Sequence, residues 1–483
     1  MRFRIVLITA AVGALGLLPS SSQAQAPTCP GPPTPPDLSF SAPTFISQNQ
    51  AGGEPVSQVA QDGSILVSSH AGTTHIYKSP DALPGAEDFI VGYTNQTLNW
   101  RSTDGGKTWN YIGLNGAPAG PHTLFSSGFS DPDYTMDAGG RIYNTEINLA
   151  NDSVYSSSDD GQSFPVGNAV AGNGDRPWLT GADPETVYLY INSTPLHYLQ
   201  KSTDGGRTFS IVTQDFPATG KLAVDPTNPH HGLVGPAGVT GITISADDGK
   251  TWTTYPGAKL GKSTQFFGAP AVDKAGWVYT AAAGGYKGAG DTKADGEVSF
   301  AYFNRQTNSW NPTKIDIPSP PGDALWPWVI AGDDGRVAVV WYQSLAGKPN
   351  EFYTYAAYTL NAHGTTVTCS DGSTKSYEPQ WSVANASGRP NALGEICLQG
   401  TACNADTDFQ GGDRRLGDFF TVNHDLNGNI FIAAADTTLA SPTGGPKPVS
   451  NPIFIKQNGG ASLLEQPIAA RPTRAPCTDP VNC

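Results

Sequence analysis

Short apolar runs punctuate this chain, among them Ile65-Leu66-Val67, Val187-Tyr188-Leu189, Val337-Ala338-Val339 and Ile430-Phe431-Ile432. Each is too short for a helix, rich in β-branched or aromatic residues and bounded by turn formers, which is the signature of a strand ending in a tight turn. The runs belong to a longer unit. A polar or aromatic residue, often followed by Pro, opens a β run; a Gly turn and a second apolar run follow. Glu54, Asp131, Arg176, Lys221, Ala269, Trp326 and Asp418 mark seven such units, about 61 residues apart on average. A blade of four strands takes roughly 40–50 residues, with loops adding more. The pattern therefore predicts an all-β chain folded as a single seven-bladed β-propeller with antiparallel blades. The long interval from Trp326 to Asp418 holds either an eighth unit or a large insertion.

A shorter motif recurs inside the units. Ser102-Thr103-Asp104-Gly105-Gly106-Lys107-Thr108-Trp109 is nearly duplicated from Ser202 to Phe209, and the stretches Ser157 to Phe164 and Ser245 to Trp252 share its S-x-D-x-G-x-[ST]-[WF] pattern. A worn copy ends at Ser309-Trp310. Each copy follows a β-like run. The carboxylates of Asp104, Asp159, Asp204 and Asp247 can accept hydrogen bonds from their own loops, and Gly adopts backbone conformations closed to other residues. Each copy thus reads as a strand-to-strand hairpin, with metal binding by the Asp residues as the alternative. In units two to four it begins 24–26 residues after the unit start, which places it between the third and fourth strands.

This motif is the Asp box, or BNR repeat, and through it the chain resembles the sialidase-like β-propellers. The resemblance implies that ligands meet the face where the innermost strands begin, with the Asp boxes on the opposite face. Sialidases have six blades, so a count of seven separates this chain from them. The propeller is expected over residues 36–465. The stretch Pro36 to Phe40 would add an outer strand to the last blade, which closes the ring and removes open sheet edges, and Cys29 would fasten it.

The ends carry different signals. Residues 1–24 read as a secretory signal peptide: Arg2 and Arg4, an apolar run from Ile5 to Leu18, then Ser22-Gln23-Ala24. The run is shorter than the roughly 20 residues of a membrane span. Cleavage after Ala24 is preferred to cleavage after Ala26, which would leave Pro27 first. Residues 25–35 form an N-terminal extension and 466–483 a cysteine-containing tail. The chain has 6 Cys, an even number that suits an oxidising compartment. Six cysteines allow 15 pairings; Cys397–Cys403 and Cys477–Cys483 close the shortest loops. The expectation is a secreted or extracytoplasmic monomer with no membrane span.

Charge and composition exclude some classes. The net charge of −14 argues against binding nucleic acid through phosphates. With 10 Trp, 18 Tyr and 19 Phe the chain is no disordered acidic segment.

The unit starts nominate funnel residues. Glu54, Asp131 and Asp418 are candidate catalytic groups, because paired carboxyls can protonate a glycosidic oxygen and activate water or attack carbon. Asp175, Arg176, Trp326, Trp328, Arg414 and Arg415, with Lys221, are candidate substrate contacts. Tryptophan faces give sugars an apolar platform, and Arg forks onto a carboxylate such as that of an acidic sugar. The alternative for each is a rim ion pair or core packing. Asn404, Asp406, Asp408 and Asp413 form an oxygen-rich cluster of a kind that wraps Ca2+, or else an exposed polar loop; no cofactor is required. The sialidase F/Y-R-I-P motif is absent. No motif anchors Arg176, Arg414 and Arg415 as that family's arginine triad, or Tyr134 and Glu146 as its nucleophile pair, so exo-sialidase activity is not expected. The reading is an exported, glycoside hydrolase-like propeller acting on a glycan in its axial funnel. The alternative is a non-catalytic propeller that binds a glycan or a protein.

Overall fold

A computed structural model describes residues 28–70, 97–114, 130–147, 151–193, 196–214, 216, 220–288, 290–400, 412–440, 447, 449–477 and 483. Seven antiparallel sheets form the blades of a propeller. From the axis outward, blade 1 is Gly53–Val59, Ile65–His70, Thr97–Ser102 and Asn110–Leu114. Blade 2 is Ser130–Met136, Ile142–Ile147, Asp152–Ser157 and Val166–Gly172. Blade 3 is Asp175–Gly181, Val187–Ser193, Leu196–Ser202 and Ser210–Thr213. Blade 4 is Ala223–Val224, Leu233–Pro236, Gly241–Ser245 and Thr253–Pro256. Blade 5 is Ala271–Val272, Val278–Gly284, Glu297–Asn304 and Ser309–Trp310. Blade 6 is Ala324–Ala331, Val337–Leu345, Lys348–Thr359 and Ser382–Asn385. Blade 7 is Thr421–His424, Ile430–Asp436 and Asn451–Gly459, completed by Ser39–Phe40.

The seven unit starts lie within three residues of the seven innermost strands. The long interval after Trp326 holds an insertion: the hairpin Thr365–Thr368 with Thr374–Tyr377, between the third and fourth strands of blade 6. Blades stack face to face, so their inner strands are covered on both sides. That is why they read as unbroken apolar runs: Val337 to Tyr342 and Ile430 to Ala435 are buried along their whole length. Removing apolar surface from water is the main drive for this stacking.

Closure follows the expected route. Ser39 pairs with Gly459 and Phe40 with Gln457. The preceding extension lies along the inserted hairpin, where Thr28 and Ser370 exchange hydrogen bonds and Cys29 is disulfide-bonded to Cys369. Cys477 and Cys483 form a second disulfide. Cys403, the partner expected for Cys397, and residues 1–24 lie outside the described residues. Among the described residues no helix is long and apolar enough to cross a membrane.

The four Asp hairpins share one network. Oδ1 of Asp104 accepts hydrogen bonds from the Lys107 and Thr108 amides and the Ser102 hydroxyl, and its Oδ2 accepts from the Thr108 hydroxyl at 2.6 Å. Asp159, Asp204 and Asp247 bond their own loops in the same way. The motif glycines also bring each turn against the preceding blade. A Cβ on Gly106 would lie 2.0 Å from the Phe454 ring of blade 7, and one on Gly161 would lie 2.2 Å from Leu66 of blade 1. At the worn copy in blade 5, Asn304 accepts from the Gln306 and Thr307 amides in place of Asp.

Beyond Gly459 the chain laces the Asp-hairpin face. Ile468 bonds Leu426 of blade 7, Arg471 bonds Gln61 of blade 1, and Arg474 and Cys477 donate their amides to Asp160 and Asp159 of blade 2.

Candidate active site

Four innermost strands begin in the same unusual way. Glu54, Asp131, Arg176 and Trp326 each precede a Pro, and their φ angles are 49°, 49°, 52° and 51°. Non-glycine residues rarely enter this left-handed region. In all four the ladder shifts register at that point, between Gly53 and Val56, Ser130 and Asp133, Asp175 and Trp178, and Leu325 and Trp328. The Pro removes an amide from the ladder, and the bulge re-aims the side chain before it. Strain of about 1–3 kcal/mol per residue persists only where the surroundings over-determine it.

The re-aimed side chains meet. Glu54 is fully buried; one carboxylate oxygen lies 3.0 Å from Nε2 of His70 and the other accepts the Asp418 amide at 2.9 Å. The turn Arg414 to Asp418 closes directly over Glu54, and a Cβ on Gly417 would lie 2.1 Å from the Glu54 Cγ. Glu54 acts on Asp131, and Asp131 on Asp175, each charge raising the next carboxyl's affinity for its proton. Neighbouring acids shielded from water do not all ionise, so this group retains protons. Arg176 donates to Asp175 at 2.7 Å and to Asp418 at 3.2 Å, and Arg414 donates to the other oxygen of Asp418.

Protonation divides across these groups. Burial, then the charge of Glu54, pushes Asp131 well above the usual carboxylate range. Burial and the charge of Asp131 push Asp175 up to about 6, although about half of its side chain is exposed. Burial alone would also raise Asp418, but Arg414 and Arg176 outweigh it and hold that carboxyl below its ordinary value. Asp152 stands beside Asp131 and Asp175. It is fully buried, neither oxygen has a well-formed hydrogen bond, and burial with the neighbouring acids pushes it up to about 8.

Other predicted contacts lie elsewhere. Trp326 and Trp328 are only 3% and 6% exposed. Trp328 packs on Trp178 at 5.7 Å and Phe419 at 6.1 Å, and Phe267 completes an aromatic plug on the axis. The expected sugar platforms are therefore a floor: indole is too large and apolar to stay wet where inner strands converge. Arg415 also leaves the funnel, because Asp413 takes its Nε at 2.9 Å and Nη2 at 2.6 Å, and its other Nη donates to the Lys447 carbonyl. The Asp413 carboxylate is thus occupied by a guanidinium; Asp406 and Asp408 lie outside the described residues. Lys221 grips Asp133 at 2.5 Å and lines a cavity of about 210 Å³ between blades 4 to 7, with Trp328, Asn423 and His424. Tyr134 is core, donating to Asn99 at 2.5 Å. Sequence reasoning did not single out His70, Asp152 or Phe266. None begins an innermost strand, the one position at which the repeat carried a signal.

No family model matches the chain. A sialidase of Micromonospora viridifaciens is 30% identical over 281 residues, which cover 52% of this chain and 36% of that protein. The chain thus spans about a third of the length of this relative. Among solved structures, a GH93 α-L-arabinofuranosidase of Fusarium graminearum, in complex with arabinobiose, is 14% identical, with 88% of this chain and 97% of that one covered at a TM-score of 0.41. A GH74 enzyme of Niastella koreensis is 13% identical over 85% of this chain and 62% of its own, at 0.43. YCF48 from Cyanidioschyzon merolae is 11% identical over 86% and 98%, also at 0.43. With its seven blades, its Asp hairpins and this partial match to a sialidase, the chain resembles the sialidase-like propellers.

Proposed function

We propose that this chain is an exported glycosidase-like propeller that hydrolyses a glycan at the mouth of its axial funnel. One observation carries the reading: adjacent carboxyl groups whose surroundings drive their protonation apart, which is how acid and base roles are assigned on a shared fold. Asp175, exposed and held near 6, donates a proton to the departing glycosidic oxygen. Asp418, held ionised by two guanidiniums, stabilises the positive charge that develops on the sugar carbon while water forms the new C–O bond and gives its proton to solvent. Asp131 and Glu54, buried beside Asp418, raise the proton affinity on the acid side. The acid role thus falls to Asp175, which the sequence offered as a substrate contact, rather than to Glu54, Asp131 or Asp418, its catalytic candidates. The partial likeness to a sialidase supports glycoside hydrolysis as the reaction class.

The test is turnover on a panel of glycans and aryl glycosides. Asp175→Asn and Asp418→Asn should each lower kcat by about 10²–10⁴-fold, with folding verified by circular dichroism. Because Asp175 acts while protonated, wild-type turnover should fall as pH rises through about 6. Turnover unchanged in both variants would remove these residues from the mechanism. No turnover on any substrate would leave the non-catalytic binding module.

A further inference from the structure

We infer that the funnel takes an uncharged saccharide, stacked on Phe266, and rejects acidic sugars; this rests on the glycan reading above. Recognition of an acidic sugar needs a guanidinium free to fork onto its carboxylate. The funnel offers none in the described structure. Arg176 is divided between Asp175 and Asp418, Arg414 is buried and ion-paired with Asp418, and Arg415 is turned away onto Asp413. Apart from Arg2 and Arg4, every arginine of the chain lies among the described residues. Arg389, which packs on Phe45 beside the outer strand of blade 7, is held by Asp436 at 2.7 Å.

The balance of groups points the same way. Among the described residues, Glu54, Asp131, Asp152, Asp175 and Asp418 share two guanidiniums, both already paired with these acids. The ionised form of an incoming carboxyl group would be opposed by loss of water and, above about pH 6, by the charges of Asp175 and Asp418.

The apolar partner is Phe266. The Arg176 guanidinium lies 5.7 Å from its ring centre and equally far from that of Phe267. Phe267 is buried in the aromatic plug, whereas Phe266 is 37% exposed. A large apolar side chain left in water beside the most exposed carboxyl of the cluster suits the C–H face of a sugar ring. It fills the platform role that buried Trp326 and Trp328 leave open.

The experiment is isothermal titration of the full-length secreted protein with neutral oligosaccharides built on glucose, galactose, xylose and arabinose, and with acidic ones ending in glucuronate, galacturonate or sialic acid. Reducing-end release is measured in parallel. A neutral series should bind, and the acidic sugars should bind at least tenfold more weakly. Phe266→Ala should weaken neutral binding roughly five- to tenfold, and Phe266→Trp should restore it; the exposed position makes misfolding an improbable cause. Preferred binding or turnover of an acidic sugar would overturn this inference and leave the hydrolase reading standing. Neutral binding without release would support the inference and overturn the hydrolase. Unchanged affinity in Phe266→Ala would overturn the stacking role, and no binding by any saccharide would overturn inference and glycan reading together.

Discussion

A buried carboxyl group with no well-formed hydrogen bond favours its neutral form, and Asp152 is in that position. Its pKa in the folded protein is about 8, against an ordinary value near 3.8. The folded state therefore holds this proton more tightly than the unfolded chain does. The resulting stability is complete below about pH 4 and is lost as pH rises toward 8. Asp152→Asn, which cannot ionise, should flatten that dependence: the fall in Tm between pH 4.5 and pH 8.5 should be smaller than in wild type by scanning calorimetry. An identical fall in both would show that Asp152 is already neutralised by another route. At this scale the sequence was legible only where the repeat pointed. Glu54, Asp131, Arg176 and Asp418 stand at unit starts and do converge. Trp328 stands at a unit start as well, yet it packs inward. Sequence position ties a side chain to a strand end, but the bulge before it decides which way it faces. His70 and Asp152 sit on second and third strands, where one His or Asp looks like any other polar residue.

The Asp hairpin is the element that was easiest to read, because its network is local. Asp159 accepts hydrogen bonds from Gln162, Ser163 and Ser157, and adds one from the Cys477 amide of the tail. Asp159→Ala should cost about 1–3 kcal/mol, since several buried donors lose their acceptor together. Urea denaturation should show a lower midpoint with an unchanged slope. A second Asp device escaped notice. In the inner hairpins Asp137, Asp273 and Asp425 each accept the amide four residues on, and the first two also take a Tyr hydroxyl six residues on. The signal was present as D-x-x-G at 137, 273 and 425. It was masked by its Gly, which already explained the turn, and by the stronger S-x-D-x-G repeat beside it.

At the scale of the whole molecule, both ends of the chain hold the ring together. Cys29 and Cys369 are 340 residues apart in sequence, so their bond closes a very long loop. A native disulfide typically contributes about 2–5 kcal/mol by restricting the unfolded chain. Cys29→Ser with Cys369→Ser should lower Tm, and dithiothreitol should lower Tm by more in the wild type than in the double variant. Removing residues 466–483 should also destabilise the fold, because that strap spans blades 7, 1 and 2 at the very seam where the circle closes.

That seam sets a timetable for biosynthesis. The outer strand of blade 7 is translated long before its partner, Asn451–Gly459. Until that partner has left the ribosome, no circle can be completed, and blade 1 lacks the neighbour against which its Asp hairpin packs. A nascent chain interrupted before residue 451 should therefore remain open to protease along its blades and become resistant in one late step.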